Sequence, residues 1–178
     1  MIKEMTVRPK PQNNNAKIAF LITLFVSFVG FGVYFAMERF RGFVGMFALF
    51  TLVTAILFYT KYIVPSFCYD LTTDSEDTPI FVVRQRTGKR ETTLCRIDLA
   101  SIKSIKREDK AERRSHKTPK DFRKYVYSPT LFPPAVYRIT VIGRYEKAEI
   151  IIECTAEFAD YLWACAIEAG DNAETEEE

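Results

Sequence analysis

Two apolar runs, Ile18–Met37 and Phe43–Val64, are separated only by Glu38-Arg39-Phe40-Arg41-Gly42, and no charge interrupts either before Lys61. As helices, both are long enough for a bilayer core, which takes about 20 apolar residues. A connector this short turns the second helix back beside the first. Residues 17–64 are therefore expected to form a transmembrane helical hairpin. Ser27, Gly30, Ala48, Thr51 and Ala55 are small enough to let two helices pack closely. No ionisable residue lies inside either span, so an ion or proton path has no support.

Lys3, Arg8, Lys10 and Lys17 precede the first run, as basic residues precede a signal peptide. The run is longer than the usual stretch of about 7–15 residues, however, and no small-residue cleavage site follows it. It is expected to stay as a span. The loop between the runs holds Arg39 and Arg41 beside Glu38. Positive residues remain on the cytoplasmic side. Both termini are thus expected in the cytoplasm, in a multi-pass protein of the plasma membrane. Tyr34, Tyr59 and Tyr62 fall towards the span ends, where amphipathic rings prefer the interface.

Residues 1–16 contain Pro9, Pro11 and Asn13-Asn14-Asn15 and read as a polar, flexible lead. Pro65 ends the second helix. Residues 66–170 then read as short strands between turns: Phe67–Leu71, Pro79–Arg86, Arg90–Leu99, Ser101–Arg107, Tyr125–Tyr127, Val136–Ile142 and Lys147–Cys154. Thr87-Gly88-Lys89 is a tight turn. In the third strand Thr93, Cys95, Ile97 and Leu99 share one face, and Leu94, Arg96 and Asp98 the other. Glu108–Lys124 is charged, with Ala111 its one aliphatic residue, and reads as a long loop. Thr155 is a suitable N-cap for a closing helix with an apolar stripe of Phe158, Tyr161, Leu162, Cys165 and Ala169. Gly170 is expected to stop it, leaving 171–178 as a disordered acidic tail.

This layout, a set of antiparallel strands closed by one amphipathic helix, resembles the pleckstrin-homology (PH) fold. Phe81–Arg90 is similar to the second-strand hairpin of bacterial PH-like domains, and Arg96–Ile105 to their next strand. The resemblance spans about Ile18–Gly170, because bacterial members often carry such a domain after a two-span hairpin. The long charged stretch and the Phe132-Pro133-Pro134 turn depart from the family pattern. The implied fold is α+β: a two-helix transmembrane hairpin, then a PH-like antiparallel β-barrel or sandwich with a C-terminal helix. The resemblance implies a membrane-tethered binding or scaffolding module and names no ligand, since such folds host many functions.

Residue chemistry points the same way. The formal net charge of +2 is too small to indicate nucleic acid as a partner. Cys68, Cys95, Cys154 and Cys165 form no C-x-x-C pair, so zinc is not expected and the thiols read as reduced core residues. His116 is the single histidine and stands among Arg113, Arg114 and Lys117, which makes it an exposed loop residue rather than a catalytic base. No phosphate-binding glycine loop is present. Asp74, Glu76 and Asp77 lack a calcium-loop spacing and read as a solvated turn. No catalytic residue, cofactor or metal is expected.

Two basic sets remain as candidates for contact with anionic lipid or a protein partner. One is Lys106, Arg107, Lys110, Arg113, Arg114 and Lys117. The other is Arg84, Arg86, Lys89 and Arg90 at the second hairpin. A basic residue near an anionic surface contributes about 1 kcal/mol of attraction. The expected function is a non-enzymatic membrane-anchored module at the cytoplasmic face. The alternative is an accessory subunit of a larger membrane complex. Oligomeric state is not legible.

Overall fold

The apolar runs form the expected antiparallel helix pair, and its small residues explain the packing. The computed structural model describes residues 4–36, 38–74, 78–143 and 146–176. Helix α1 is Asn15–Ala36 and α2 is Arg41–Phe58, extended by a wider π-type turn over Tyr59–Ile63. Both are long and apolar enough to cross a membrane. Ala48, Thr51 and Ala55 recur at helical spacing and are buried. Ser27 Oγ donates to the Ala48 carbonyl at 3.0 Å, which satisfies a hydroxyl buried among apolar neighbours. Tyr34 lies against Gly45, and the Phe20 and Tyr59 rings are 5.5 Å apart.

Gly30 lets the two backbones approach closely. A Cβ placed there would stand 3.0 Å from Ala48 Cβ and 3.4 Å from Ala48 Cα, whereas one on Gly32 meets nothing within 4 Å. Gly30→Leu should therefore force the helices apart and Gly32→Leu should not. Thermal melts of both variants in mild detergent check this; equal melting would contradict it.

The chain divides into two compact units: residues 11–65 with 130–132, and residues 1–10, 66–129 and 133–178. The second unit is α+β, as expected. Four strands, β1 (Met5–Val7), β2 (Pro65–Thr73), β3 (Pro79–Thr87) and β4 (Arg90–Asp98), lie side by side in that order in one sheet. The other sheet runs β5 (Ile102–Asp109), β7 (Ala135–Ile142), β8 (Lys147–Ile152), β6 (Arg123–Tyr127). In β4 the expected alternation holds from Cys95 to Asp98, with Ile97 buried and Arg96 and Asp98 exposed, but a bulge at Leu94 breaks it, and Thr93, expected on the inward face, is exposed. Gly88 takes φ +63 at the β3–β4 turn, a conformation that glycine adopts without a Cβ penalty. The core joins Tyr69, Leu71, Phe81 and Val83 of the first sheet to Ile139, Ile150 and Ile152 of the second. Phe158, Leu162 and Cys165 of α4 (Ala156–Glu176) close it. The Phe158 N–H donates to Thr155 Oγ1 at 3.3 Å, the expected cap.

Several expectations are corrected. Met5–Val7, placed in a flexible lead, pairs antiparallel with Tyr69–Leu71 as an edge strand. The strands are not all antiparallel: β6 runs parallel to β8, and the two sheets do not close into a barrel. Helix α4 passes through Gly170 into the acidic segment as far as Glu176. A mid-helix glycine costs only about 1 kcal/mol relative to alanine, and burial of Cys165, Ala166 and Ala169 just before it favours the helix. Glu177 and Glu178 lie outside the described residues, as do Glu76 and Asp77 of the acidic turn.

Candidate functional site

Strand β5 places charges on both its faces. Lys106 stands opposite Arg138 of β7, so Arg138 and Glu108, two residues further along β5, share one face. The β7–β8 hairpin pairs Thr140 with Glu149 and Arg138 with Ile151, which brings Glu149 to the same face. Three charges from three adjacent strands therefore meet. Arg138 Nε donates to Glu108 Oε1 at 2.5 Å and Nη2 to Oε2 at 2.7 Å, a two-pronged bond. Its Nη1 donates to Glu149 Oε2. Arg138 is 3% exposed and Glu149 4%.

The segment after β5 folds over these groups. It was expected as a loop, but Lys110–Ser115 is helix α3. Asp109 and Glu112 form a capping box, in which the Glu112 carboxylate accepts the Asp109 N–H at 3.1 Å. Beyond α3, His116 Nε2 lies 2.9 Å from Glu149 Oε1, and Thr118 Oγ1 donates to Glu149 Oε2 at 2.7 Å. His116 is a surface residue as expected, yet its ring faces two carboxylates: Nδ1 is also 3.9 Å from Glu108. His116 is thus the exposed residue expected, and its two carboxylate neighbours come from distant positions that its basic sequence neighbours do not reveal.

The bonds from Arg138 hold the Glu108 carboxyl below the usual carboxylate range, against the opposing effect of burial. For Glu149, burial pushes upward, but the bonds from Thr118 and His116 and the Arg138 charge outweigh it, and the carboxyl is lowered. No buried side-chain polar atom among the described residues lacks a hydrogen-bond partner. The cluster is therefore a satisfied network. Next to it Lys106, Arg107, Glu108, Glu112, Ser115 and His116 line a shallow open cleft of about 320 Å³.

The two basic sets fare differently. Lys106, Arg107, Lys110, Arg114 and Lys117 are exposed on β5, on α3 or just after it. Arg113 of the same set is turned to a structural task, its Nη2 donating to the Pro133 carbonyl at 3.1 Å. The second set lies on the other sheet. Arg84 pairs with the buried Asp70 at 3.2 Å, and Arg86 folds onto the Gly88 carbonyl at 3.1 Å. Lys89 and Arg90 are exposed at the turn.

All four cysteines are free. Burial is the largest influence on each thiol and raises them all, Cys154 to about 12. None is thereby activated as a nucleophile. Among the described residues no group of three histidine, cysteine or carboxylate side chains is arranged to hold a metal ion. No sequence family, curated protein or solved structure matches the chain.

Proposed function

We propose that this chain is an integral membrane protein whose hairpin crosses the bilayer, with both termini cytoplasmic, and whose sheet domain is a non-enzymatic, PH-like binding module for anionic lipid. The membrane reading is supported above all by what the hairpin leaves outside. The helices bury small residues against each other and expose large apolar ones, with Phe28 68%, Met46 77% and Phe43 80% exposed. Such a surface is costly in water and suited to lipid. Both ends of the pair carry tyrosine and basic residues, Arg41 over the Tyr34 ring at one end and Lys61 over the Tyr62 ring at the other. That pattern suits two membrane interfaces. Strand β2 begins at Pro65, directly after the second span, which keeps the sheet domain within reach of the surface.

The lipid reading is supported by the exposed cations Lys106, Arg107, Lys110, Arg114 and Lys117 around the β5–α3 cleft. The α+β build closed by a C-terminal helix supports the PH-like part of this reading, from which the parallel β6–β8 pair departs. Lysine acylation of the full chain in nanodiscs tests the contact. Lys106, Lys110 and Lys117 should label more slowly in discs containing phosphatidylglycerol than in phosphatidylcholine alone. High salt should remove the difference, because the screening length falls to about 3 Å at 1 M. Equal labelling in both discs would retire the lipid version in favour of a protein partner.

A further inference from the structure

Phe132 sits where a bulky residue is least expected. Its backbone has φ +58, in the left-handed region, and it is the one non-glycine residue with positive φ among those described. Its ring is 68% exposed. Glycine would meet that φ with less strain, so the position combines an unfavourable backbone with an uncovered aromatic ring.

The loop that carries it belongs to the helical unit: residues 130–132 cluster with 11–65. Two contacts fix it there. The Gln12 N–H donates to Thr130 Oγ1 at 2.8 Å, and Asn13 Nδ2 donates to the Phe132 carbonyl at 3.3 Å. The same Asn13 accepts the Asn15 N–H through Oδ1 at 3.1 Å, at the first residue of α1. The loop is thus held to the start of the first span. At that end of the hairpin the Tyr59 ring lies against Phe20, and Lys17 is exposed. Tyrosine and lysine are the residue types that mark a membrane–water boundary.

We propose that Phe132 is an interfacial anchor, held at the end of α1 so that its ring enters the boundary between phospholipid headgroups and acyl chains. The proposal rests on the reading of the hairpin as a bilayer-spanning pair. The occupant of this surface is lipid: the strained, hydrogen-bonded loop fixes the ring at the level where a span starting at Asn15 leaves the hydrocarbon. An aromatic ring there adds apolar contact at the interface without lengthening the span.

Tryptophan fluorescence of the full chain in phosphatidylcholine vesicles tests this. The chain has one tryptophan, Trp163, and the wild-type protein supplies its baseline. Phe132→Trp should add blue-shifted emission, most of which is lost in lipids brominated near the headgroup and less of it in lipids brominated deep in the chains. Phe28→Trp, near the middle of α1, should show the opposite depth order. If Phe28→Trp is quenched and the added Phe132→Trp emission is not, the anchor is overturned and the spanning hairpin stands. If neither is quenched, the spanning reading fails and the anchor with it.

Discussion

Arg138→Met is expected to lower the unfolding free energy of the sheet domain by about 3–5 kcal/mol, the usual cost of removing one partner from a buried ion pair. A typical domain has about 5–15 kcal/mol in total, so the variant approaches the limit of folding. The cause is specific. Without the guanidinium, Glu108 and Glu149 remain on one face of the second sheet, 8% and 4% exposed, with their shared cation gone. The pH dependence follows from the direction of their shifts. In the wild type both carboxyls are lowered, so their contribution is present above the unfolded carboxylate pKa of about 4.3 and is lost as pH falls through the folded values. In the variant the lowering by Arg138 is lost while burial still pushes both carboxyls up, and the Thr118 and His116 bonds still hold Glu149 down, so less stability is lost on protonation than in the wild type. The gap between the two proteins should therefore narrow as the pH drops towards 4. Denaturant melts followed by Trp163, which packs on the core, measure it. Arg138→Lys should fall between them, because it keeps the charge and loses the two-pronged bond. A gap below about 1 kcal/mol at pH 7 would mean that the network behaves as a solvated surface pair.

This network also marks the limit of what the sequence reveals. The hairpin was legible because its signals are local: two apolar runs, a short charged connector, and small residues on one stripe. Strand β4 and the Thr155 cap were legible for the same reason. Strand β1 was not, because Met5–Val7 is extended only by pairing with Tyr69–Leu71, far along the chain. The parallel neighbour β6 depends likewise on a partner that local pattern cannot name. Helix α3 had a readable signal, Asp109 followed three residues later by Glu112, but the surrounding charge favoured a loop. Arg138 and Glu149 had a signal too: each is a charged residue inside an apolar strand, and the Gly143 turn sets the register that makes them diagonal neighbours. Lys106 and Lys110, singled out by counting charge, are exposed. Arg84 and Arg113 show why counting is insufficient, since each is tied to a partner that only the tertiary fold supplies.

Phe158→Ala is expected to cost a similar amount, about 3–5 kcal/mol, for an apolar reason. Phe158 is fully buried on the first turn of α4, its ring centroid 6.5 Å from Tyr69 and 6.4 Å from Phe81. Those three rings join α4 to β2 and β3. The Tyr69 hydroxyl extends the junction, donating to the Tyr127 carbonyl at 2.6 Å and accepting the Glu153 N–H at 3.3 Å. Truncation to alanine leaves a cavity among groups that these hydrogen bonds hold in place, so the site has little freedom to collapse. Phe158→Leu should cost less, because it retains most of the volume. Thr155→Ala provides the comparison within the same helix turn: it removes the cap and leaves the rings, at about 1 kcal/mol. Melts of the three variants at pH 7 decide the matter. A Phe158→Ala loss no larger than that of Thr155→Ala would place the junction of α4 with the first sheet elsewhere than in the aromatic trio. Unlike the Arg138→Met loss, the Phe158→Ala loss should persist unchanged as the pH falls towards 4, since no carboxyl takes part, and that contrast separates the two causes of instability.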